Sequence, residues 1–298
     1  MSTLSVLVEA SACSWGKLAE THGENVIGTL LRAIVSFCNG HLAMSSSNQL
    51  LVFAYGRNIE KKLLYCSTRA GDRDSSAIII RRLREVLTES AQSDDIKIGA
   101  PLAPAMSHAI CHMKKDNKVL TVDPCADSLG PQASSTGDTV EKIEENCTTR
   151  AVVIGMTSVF GGEHGPLMNL FFSAAKQSIC VDVVSLGDDV TGGVLQQAAD
   201  ITGGLFLHAD HPQDLLKILM THILADPSMR TAFPQPTLDA VDYRASCACH
   251  HQLVSSGWVC SVCLSVLCQY SPICKVCKAA FKVPLMPKIN KRKRKVEE

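Results

Sequence analysis

The pattern of apolar and polar positions divides residues 1–226 into short apolar runs and longer segments of helical periodicity. The runs have the length of strands that are buried on both faces of a sheet. They cover residues 4–8, 49–55, 61–66, 151–156, 179–186 and 205–207.

Apolar residues that recur every three or four positions predict helices between these strands. Ile27, Leu31, Ile34 and Cys38 show the pattern, because this spacing places them on one face of a helix. Similar stripes cover residues 79–87, 102–113, 167–176, 194–201 and 215–223. Strands that alternate with helices predict right-handed βαβ units and therefore an α/β fold, a Rossmann-like, doubly wound and mostly parallel sheet.

Changes in composition predict the domain boundaries. Residues 124–142 are rich in Ser, Gly, Pro and Asp and lack periodicity, so a mobile surface loop is expected within an α/β domain of residues 1–226. A Pro-containing linker is expected at 227–241, and a cysteine-rich, RING-like zinc finger at 242–284. A basic tail is expected at 285–298.

Charge and hydropathy narrow the class of protein. Hydrophobic residues make up 46% of the chain, enough for a sizeable core, and Lys plus Arg equals Asp plus Glu at 29 each. The balanced charge does not draw the whole molecule to nucleic acid or to a membrane. The N-terminal segment contains Glu9 and Lys17 and is unlike a signal peptide, and no run reaches the ~20 apolar residues of a membrane span. An intracellular protein with reduced thiols is expected.

A dense group of cysteines is the strongest chemical signal. Of the 14 cysteines, seven lie within residues 247–277, and such a density in a reducing compartment predicts a metal site. Cys260, Cys263, Cys274 and Cys277 form two CxxC pairs, each of which can present two thiolates to one ion. Structural zinc is the expected metal, and the folding of this segment, which has few large apolar residues, is expected to depend on it.

The other donors in this segment leave two interpretations open. Cys247, Cys249, His250 and Cys268 form a second zinc site if the module is cross-braced, so that the first and third ligand groups share one metal and the second and fourth share the other. His251 is the alternative to His250 as the fourth ligand. In the other interpretation the module holds one zinc ion, and Cys249 and Cys268 are core residues.

The sequence lacks the motifs of the enzymes that use such a fold. No GxGxxG or GxxxxGK[ST] motif follows a predicted strand. The pair Glu163-His164 is expected to be solvent-exposed, and Asp188-Asp189 is expected to cap a helix. Zinc with four sulfur ligands has no open position for catalysis, so a binding protein rather than an enzyme is expected. A RING-type ubiquitin-ligase component is the alternative, because a cross-braced module docks partner proteins.

The C-terminal segment carries a concentrated positive charge. Six of the eight residues 288–295 are Lys or Arg, which predicts a nuclear localisation signal. A solvated run that contacts nothing specific is the alternative, and contact between such a run and DNA would be independent of sequence and sensitive to salt.

Three segments carry motifs that are more specific than spacing alone. They are residues 193–207 (GVLQQAADITGGLFL), 241–250 (VDYRASCACH) and 259–274 (VCSVCLSVLCQYSPIC). Together they resemble the family of small von Willebrand A-type, zinc-binding subunits of the transcription and repair factor TFIIH. The resemblance is dense from about residue 177 to residue 284 and thinner from Leu4 onward, where Trp15-Gly16-Lys17 is similar to the family's first loop.

The resemblance implies a von Willebrand A fold and a structural role in the TFIIH core complex. That complex acts in RNA polymerase II transcription initiation and nucleotide excision repair, which implies a nuclear protein. The expected main partner is the larger von Willebrand A/RING subunit, in an assembly with XPB and XPD. DNA contact is expected only indirectly or through the basic tail.

Many von Willebrand A domains bind Mg²⁺ through a DxSxS loop after the first strand, and here that loop is degenerate. The corresponding residues are Glu9, Ser11 and Cys13, of which only Ser11 matches. A thiol is a poor ligand for a hard cation, and the longer Glu side chain disturbs near-octahedral geometry. No Mg²⁺ is therefore expected at Glu9-Cys13, which argues against a cation-dependent adhesion role.

Overall fold

The computed structural model describes residues 2–57, 59, 62–68, 75–92, 101–119, 148–157, 163–186, 193–234, 236, 240–250 and 253–281. The chain forms two compact units, which divide between Asp242 and Tyr243. The predicted loop at 124–142, the basic tail at 285–298, the pair Asp188-Asp189 and His251 lie outside the described residues.

A six-stranded sheet forms the centre of the first unit. In space the strands follow the order β3-β2-β1-β4-β5-β6. All neighbouring strands are parallel except β2 and β3, which are antiparallel. The strands are β1 (Ser2–Glu9), β2 (Gln49–Tyr55), β3 (Leu63–Cys66), β4 (Thr148–Gly155), β5 (Ile179–Ser185) and β6 (Phe206–His208). The predicted α/β fold with a mostly parallel sheet is confirmed.

Helices cover both faces of this sheet. They are α1 (Ala12–His22), α2 (Asn25–Met44), α3 (Ser75–Gln92), α4 (Ala103–Val119), α5 (His164–Lys176), α6 (Gly193–Thr202) and α7 (Leu215–Ile218). One core contains residues of α1, α2, α3 and α7, and the other contains residues of α4, α5 and α6. Along β1, Leu4 and Val6 belong to the first core and Leu7 to the second, because successive side chains of a strand point to opposite faces. Burial on both faces explains why the strands are continuous apolar runs in the sequence.

The pattern of apolar residues does not predict α1. Only Ser14, Trp15 and Leu18 of this helix are buried, so its inward stripe is too short to stand out. Trp15 is held in place by its indole N–H, which donates a 2.7 Å hydrogen bond to the carbonyl oxygen of Glu9. The expectation that Trp15-Gly16-Lys17 and Cys13 lie in a loop is wrong, because all of them lie in this helix.

The helix predicted at 215–223 is broken into pieces. A 3₁₀ turn (Pro212–Asp214), α7 and a π-helical turn (Leu219–Ile223) follow one another. The carbonyl oxygens of the last residue of this π-helical turn and of the two residues after it bind Arg150 of β4. Ile223 and Ala225 accept from Nη1 at 2.6 and 2.8 Å, and Leu224 accepts from Nη2 at 2.8 Å. A buried guanidinium thus satisfies carbonyl groups that a helix leaves free at its C-terminal end.

Two glycines allow β6 to pair with β5. Gly203 has a φ of +70°, a conformation that residues with a side chain rarely adopt. A Cβ atom on Gly204 would lie 2.0 Å from the carbonyl oxygen of Val181, so the chain can pass this close to β5 only without one. The pair belongs to the segment 193–207, and the specificity of that motif therefore has a steric basis.

Among the described helices, α2 is long and apolar enough to cross a membrane. It has 20 residues and a mean hydropathy of 1.3, yet half of this window is buried within the protein. Core helices of globular domains meet the same criteria, and Leu30, Ile34 and Phe37 of α2 are packed inside the first unit.

Candidate metal centre

The described part of the second unit, residues 243–250 and 253–281, contains little apolar core. Its regular structure is two short antiparallel hairpins, β7 (Ala245–Ser246) with β8 (Leu253–Val254), and β9 (Trp258–Val259) with β10 (Val266–Leu267). Of the described residues in this unit, the buried ones are Cys247, Cys260, Leu267 and Cys274. Three of these four are cysteines, so thiol groups occupy the place that apolar side chains take in an ordinary core.

Four cysteines of the second unit converge on one point. The sulfur atoms of Cys260, Cys263, Cys274 and Cys277 all lie within 4.8 Å of one another. The Sγ atoms of Cys260 and Cys277 are 3.7 Å apart, as are those of Cys263 and Cys274. Four sulfurs placed tetrahedrally at about 2.3 Å from a zinc ion would be separated by about 3.8 Å. The geometry of this cluster, called here the four-cysteine cluster, therefore fits such an ion.

Two loops with the same backbone structure build the four-cysteine cluster. In the first knuckle (residues 260–265), Leu264 N–H donates to Cys260 O at 2.9 Å, and Cys260 N–H donates to Ser265 O at 3.0 Å. In the second knuckle (residues 274–279), Lys278 N–H donates to Cys274 O at 3.0 Å, and Cys274 N–H donates to the carbonyl of residue 279 at 2.8 Å. Each CxxC pair therefore turns in the same way toward the shared centre.

The residue after the second cysteine of each knuckle has a left-handed backbone. Leu264 has a φ of 60° and Lys278 a φ of 63°. This conformation favours glycine and costs other residues roughly 1–2 kcal/mol. Sequence spacing indicated the cysteines but not these two positions, because neither residue type signals a positive φ.

A second group of donors, the Cys/His cluster, lies in the same unit. Donor atoms of Cys247, Cys249, His250 and Cys268 lie within 4.8 Å of one another. His250 Nδ1 is 3.2 Å from Cys268 Sγ and 3.3 Å from Cys249 Sγ, and the latter two sulfurs are 3.3 Å apart. Two clusters of this module can therefore hold a metal ion.

The two clusters are interleaved along the chain. The ligand groups occur in the order 247–250, 260–263, 268 and 274–277, and the first and third belong to one cluster whereas the second and fourth belong to the other. This is the connectivity of a cross-braced module. A backbone hydrogen bond of 2.8 Å from Ala248 N–H to Val266 O joins the loop of one cluster to the strand that links the two.

Hydrogen bonds among these groups shift the acidity of the thiols. The side-chain and backbone groups of Ser265 lower the pKa of Cys263 to about 6, which favours the thiolate that binds metals. A hydrogen bond with Cys249, followed by burial, raises the pKa of Cys268. Neighbouring thiolates repel one another, so the thiols of a cluster do not all ionise easily. A bound cation neutralises this negative charge, and the thiols that coordinate it are deprotonated.

One known protein family matches both units of the chain. The family model described as transcription factor Tfb4 matches residues 1–278. The chain belongs to the Tfb4 family. It is 29% identical to the Kluyveromyces lactis general transcription and DNA repair factor IIH subunit TFB4, over 98% of this chain and 88% of the relative. It is 27% identical to the Saccharomyces cerevisiae protein of the same description, over 98% of this chain and 89% of the relative.

A solved structure agrees with this assignment at the level of the fold. The crystal structure of the TFIIH p34 N-terminal domain superposes with a TM-score of 0.53 at 23% identity, covering 74% of this chain and 96% of that chain. The first unit of this Tfb4-family chain therefore has the von Willebrand A fold that the resemblance implied.

In this Tfb4-family chain, the carboxylate of Glu9 is buried and bound by protein donors. Ser14 Oγ donates to one carboxylate oxygen at 2.7 Å. The backbone N–H groups of Met156 and Thr157 donate to the other at 2.7 and 3.0 Å. A cation at this carboxylate would have to displace these donors.

The other residues of the degenerate loop point elsewhere. Ser11 precedes α1 and makes no capping hydrogen bond through its side chain, and Cys13 is exposed. Within residues 11–14, Ser14 rather than Ser11 is the residue whose hydroxyl donates to Glu9. The alignment of the loop by sequence did not indicate this, because residues 12–14 begin a helix.

The expectation that Glu163-His164 is an exposed pair is wrong. The Glu163 carboxylate accepts hydrogen bonds from the N–H groups of Leu102 and Ala103, at 2.9 and 3.2 Å, at the beginning of α4. It therefore acts as a cap contributed by a distant segment. His164 is half-buried, and burial lowers its pKa.

Proposed function

We propose that this chain is a structural subunit of the TFIIH core complex and not an enzyme. In that role it contributes to RNA polymerase II transcription initiation and to nucleotide excision repair in the nucleus. The observation that carries the proposal is similarity over nearly the whole chain to relatives described as general transcription and DNA repair factor IIH subunits. Because the family match includes both units, the proposal concerns the von Willebrand A domain and the cysteine module together.

Zinc is the metal proposed for the four-cysteine cluster and for the Cys/His cluster. Zinc binds sulfur and imidazole nitrogen in tetrahedral sites, and the sulfur separations of 3.7 Å in the four-cysteine cluster match such a site. Each cluster supplies four donors, which leaves no position for a substrate or a reactive water. The metals would therefore hold the module together in place of an apolar core.

Metal analysis of the purified full chain tests the zinc proposal. Two zinc ions per chain are expected for the native protein, and fewer for Cys263→Ser and for Cys249→Ser. Cys111→Ser is the matched control, because Cys111 is an exposed cysteine of α4. One zinc ion in the native chain, unchanged in Cys249→Ser, would favour the single-zinc interpretation. Full zinc content in Cys263→Ser would contradict the four-cysteine cluster.

The first unit is proposed to dock the larger von Willebrand A/RING subunit, in an assembly that contains XPB and XPD. Large apolar side chains are exposed on this unit, at Met44, Phe172, Met229 and Phe233. Exposed side chains of this kind suit a protein interface. The Glu9 carboxylate, at the end of β1, already accepts hydrogen bonds from protein groups. This arrangement suits docking by shape better than docking through a bound cation.

Affinity purification from nuclear extract, followed by mass spectrometry, tests membership of the complex. The native chain is expected to recover XPB, XPD and the larger von Willebrand A/RING subunit in near-equal amounts. Phe172→Glu tests one exposed position of the first unit, with Glu85→Gln, an exposed position of α3, as the control. Failure of the native chain to recover these proteins would contradict the proposal.

Import into the nucleus is proposed to depend on the basic residues 288–295. A fluorescent fusion in which Lys and Arg at 291–295 are replaced by Gln is expected to remain outside the nucleus when it is not in the complex. Normal accumulation of that variant in the nucleus would contradict the import role.

A RING-type ubiquitin-ligase component is the second candidate. The interleaved donor groups favour it, because cross-braced modules of that class dock conjugating enzymes. An autoubiquitination assay with the purified chain separates the candidates. Zinc-dependent chain formation would support the ligase, whereas inactivity alongside intact zinc content would favour the structural subunit.

A further inference from the structure

The two knuckles present apolar side chains to solvent. Val262 and Val276 are the third residues of the two CxxC sequences, and they are 69% and 51% exposed. Leu264 follows the first knuckle's second cysteine and is 72% exposed. Because both knuckles converge on one cluster, these side chains flank the same metal site. Together with Lys275 and Lys278, they are called here the tip surface.

Leu264 is unfavourable in the free module for two independent reasons. Its left-handed backbone, with a φ of 60°, would suit glycine better. Its side chain is also apolar, and most of its surface is exposed to solvent. Lys278 occupies the equivalent position of the second knuckle and has the same backbone conformation. Its charged side chain, unlike that of Leu264, is well solvated by water. Strained residues are concentrated at binding sites, and a partner that covers Leu264 would offset the cost of its exposure.

Charge complementarity indicates the chemistry of that partner. No Asp or Glu occurs between Asp242 and Glu297, so the described residues of the second unit include no carboxylate side chain. Lys275 and Lys278 lie in the second knuckle and are exposed. A complementary surface would have an apolar centre for the aliphatic side chains and carboxylates at its rim.

A protein fits this description better than a nucleic acid does. Interfaces with nucleic acid are polar, and single-stranded bases stack on aromatic rings. The centre of the tip surface consists of the aliphatic side chains of Val262, Leu264 and Val276, and neither they nor its two lysines offer a ring for stacking. Trp258 and Tyr270, which do offer rings, contact each other at a centroid distance of 5.3 Å in an edge-to-face arrangement.

We infer that the tip surface inserts Val262 and Leu264 into an apolar pocket, bordered by Asp and Glu residues, on another protein subunit of the TFIIH core. Lys275 and Lys278 pair with the carboxylates at the rim. This inference rests on the proposed function, because it takes the partner from that assembly. It adds a specific contact surface on the cysteine module to the docking proposed for the first unit.

Site-specific photo-crosslinking in the reconstituted TFIIH core tests the inference. The full chain carries p-benzoylphenylalanine at position 264 or, as the control, at the exposed position 256 between β8 and β9. An adduct from 264 to one subunit, at a peptide rich in Asp or Glu and absent from the 256 sample, is the expected result. An assembled core without a protein adduct from 264 would overturn the inference and leave the proposed function intact. An adduct only to added DNA would overturn it as well. Failure of the chain to join the core would contradict both.

Two variants show whether the adduct depends on the chemistry of the tip surface. With the crosslinker at position 262, Leu264→Gly keeps the backbone favourable and is expected to reduce the adduct yield at least fivefold. Lys275→Glu combined with Lys278→Glu is expected to reduce it to a similar extent. Zinc content equal to that of the native chain shows that the module remains folded. Unchanged yields in both variants would overturn the inference.

Discussion

Arg230 donates hydrogen bonds of 2.7 and 2.5 Å to the two carboxylate oxygens of Asp182, and both side chains are buried. Asp182 lies in the middle of β5, and its Oδ1 also accepts the N–H of Leu205 at 3.0 Å, next to β6. Arg230 belongs to the 3₁₀ helix Pro227–Ala232. The ion pair therefore attaches this 3₁₀ helix to strand β5 of the sheet.

Removal of one charge from this pair is expected to destabilise the first unit strongly. Asp182→Asn leaves a buried guanidinium without its counter-charge, at a cost of about 3–5 kcal/mol in the free energy of unfolding. Urea denaturation measures this change in the unfolding transition of the first unit. Glu85→Gln breaks an exposed pair with Arg81 and is the control, with an expected change below about 1 kcal/mol. Similar values for both variants would contradict the importance of the buried pair.

Glu9 is expected to matter for stability rather than for cation binding. Glu9→Gln keeps the size of the side chain but turns one acceptor into a donor near the N–H groups of Met156 and Thr157. A loss of about 1–3 kcal/mol is expected, because a buried donor is left without a partner. Urea denaturation measures it.

Calorimetric titration with Mg²⁺ completes the test of Glu9. The native chain is expected to show no heat of binding that depends on this residue. Saturable binding that disappears in Glu9→Gln would show that the carboxylate is a metal ligand after all.

His41 is expected to make the first unit sensitive to acid. Burial and then the charge of Arg150 lower the pKa of His41 below its ordinary value of 6.5. The unfolded chain therefore takes up this proton more readily than the folded one. The stability of the fold with neutral His41 is therefore complete above the pKa that His41 has in the unfolded chain. It is lost as the pH falls below that value.

The variant His41→Gln tests this dependence, because it retains a donor that can reach the carbonyl oxygen of Gln49 but does not titrate. Its free energy of unfolding is expected to change less than that of the native chain between about pH 7 and pH 5. An equal change in the free energy of unfolding with pH for the two proteins would exclude His41 as the cause of the acid sensitivity.

Glycine at either left-handed knuckle position is expected to strengthen the metal module. Leu264→Gly and Lys278→Gly relieve an unfavourable φ, and a net gain of up to about 1 kcal/mol is expected after the greater flexibility of glycine in the unfolded chain is included. The rate of zinc release to a chelator reports this gain. Faster release than from the native chain would show that these side chains support the knuckles.

The parts of the fold that the sequence predicted depend on local patterns. Strand β2 was predicted at its observed bounds, Gln49–Tyr55, because a strand buried on both faces is an uninterrupted apolar run. The four-cysteine cluster was predicted from the spacing of the two CxxC pairs, whereas the Cys/His cluster was one of two interpretations that the sequence left open. The structure brings each group together. Their assignment as zinc ligands stays a prediction.

The parts that were missed depend on contacts between distant residues. Arg150 interrupts an apolar strand, and the carbonyl oxygens that it binds lie 73 to 75 residues later in the chain. The Glu163 carboxylate caps a helix about 60 residues earlier. No local pattern contains such partners. Helix α1 was missed for another reason, because its inward stripe of Ser14, Trp15 and Leu18 is short.

The interleaved clusters set a condition on how the module is made during protein synthesis. A nascent chain that ends before Cys268 lacks a donor of the Cys/His cluster and has only half of the four-cysteine cluster. A chain that ends between Cys268 and Cys277 can complete the Cys/His cluster. The four-cysteine cluster of that chain still lacks at least one of its cysteines. Stop codons throughout this segment would therefore leave uncoordinated thiols, and only a chain that includes Cys277 can complete both clusters.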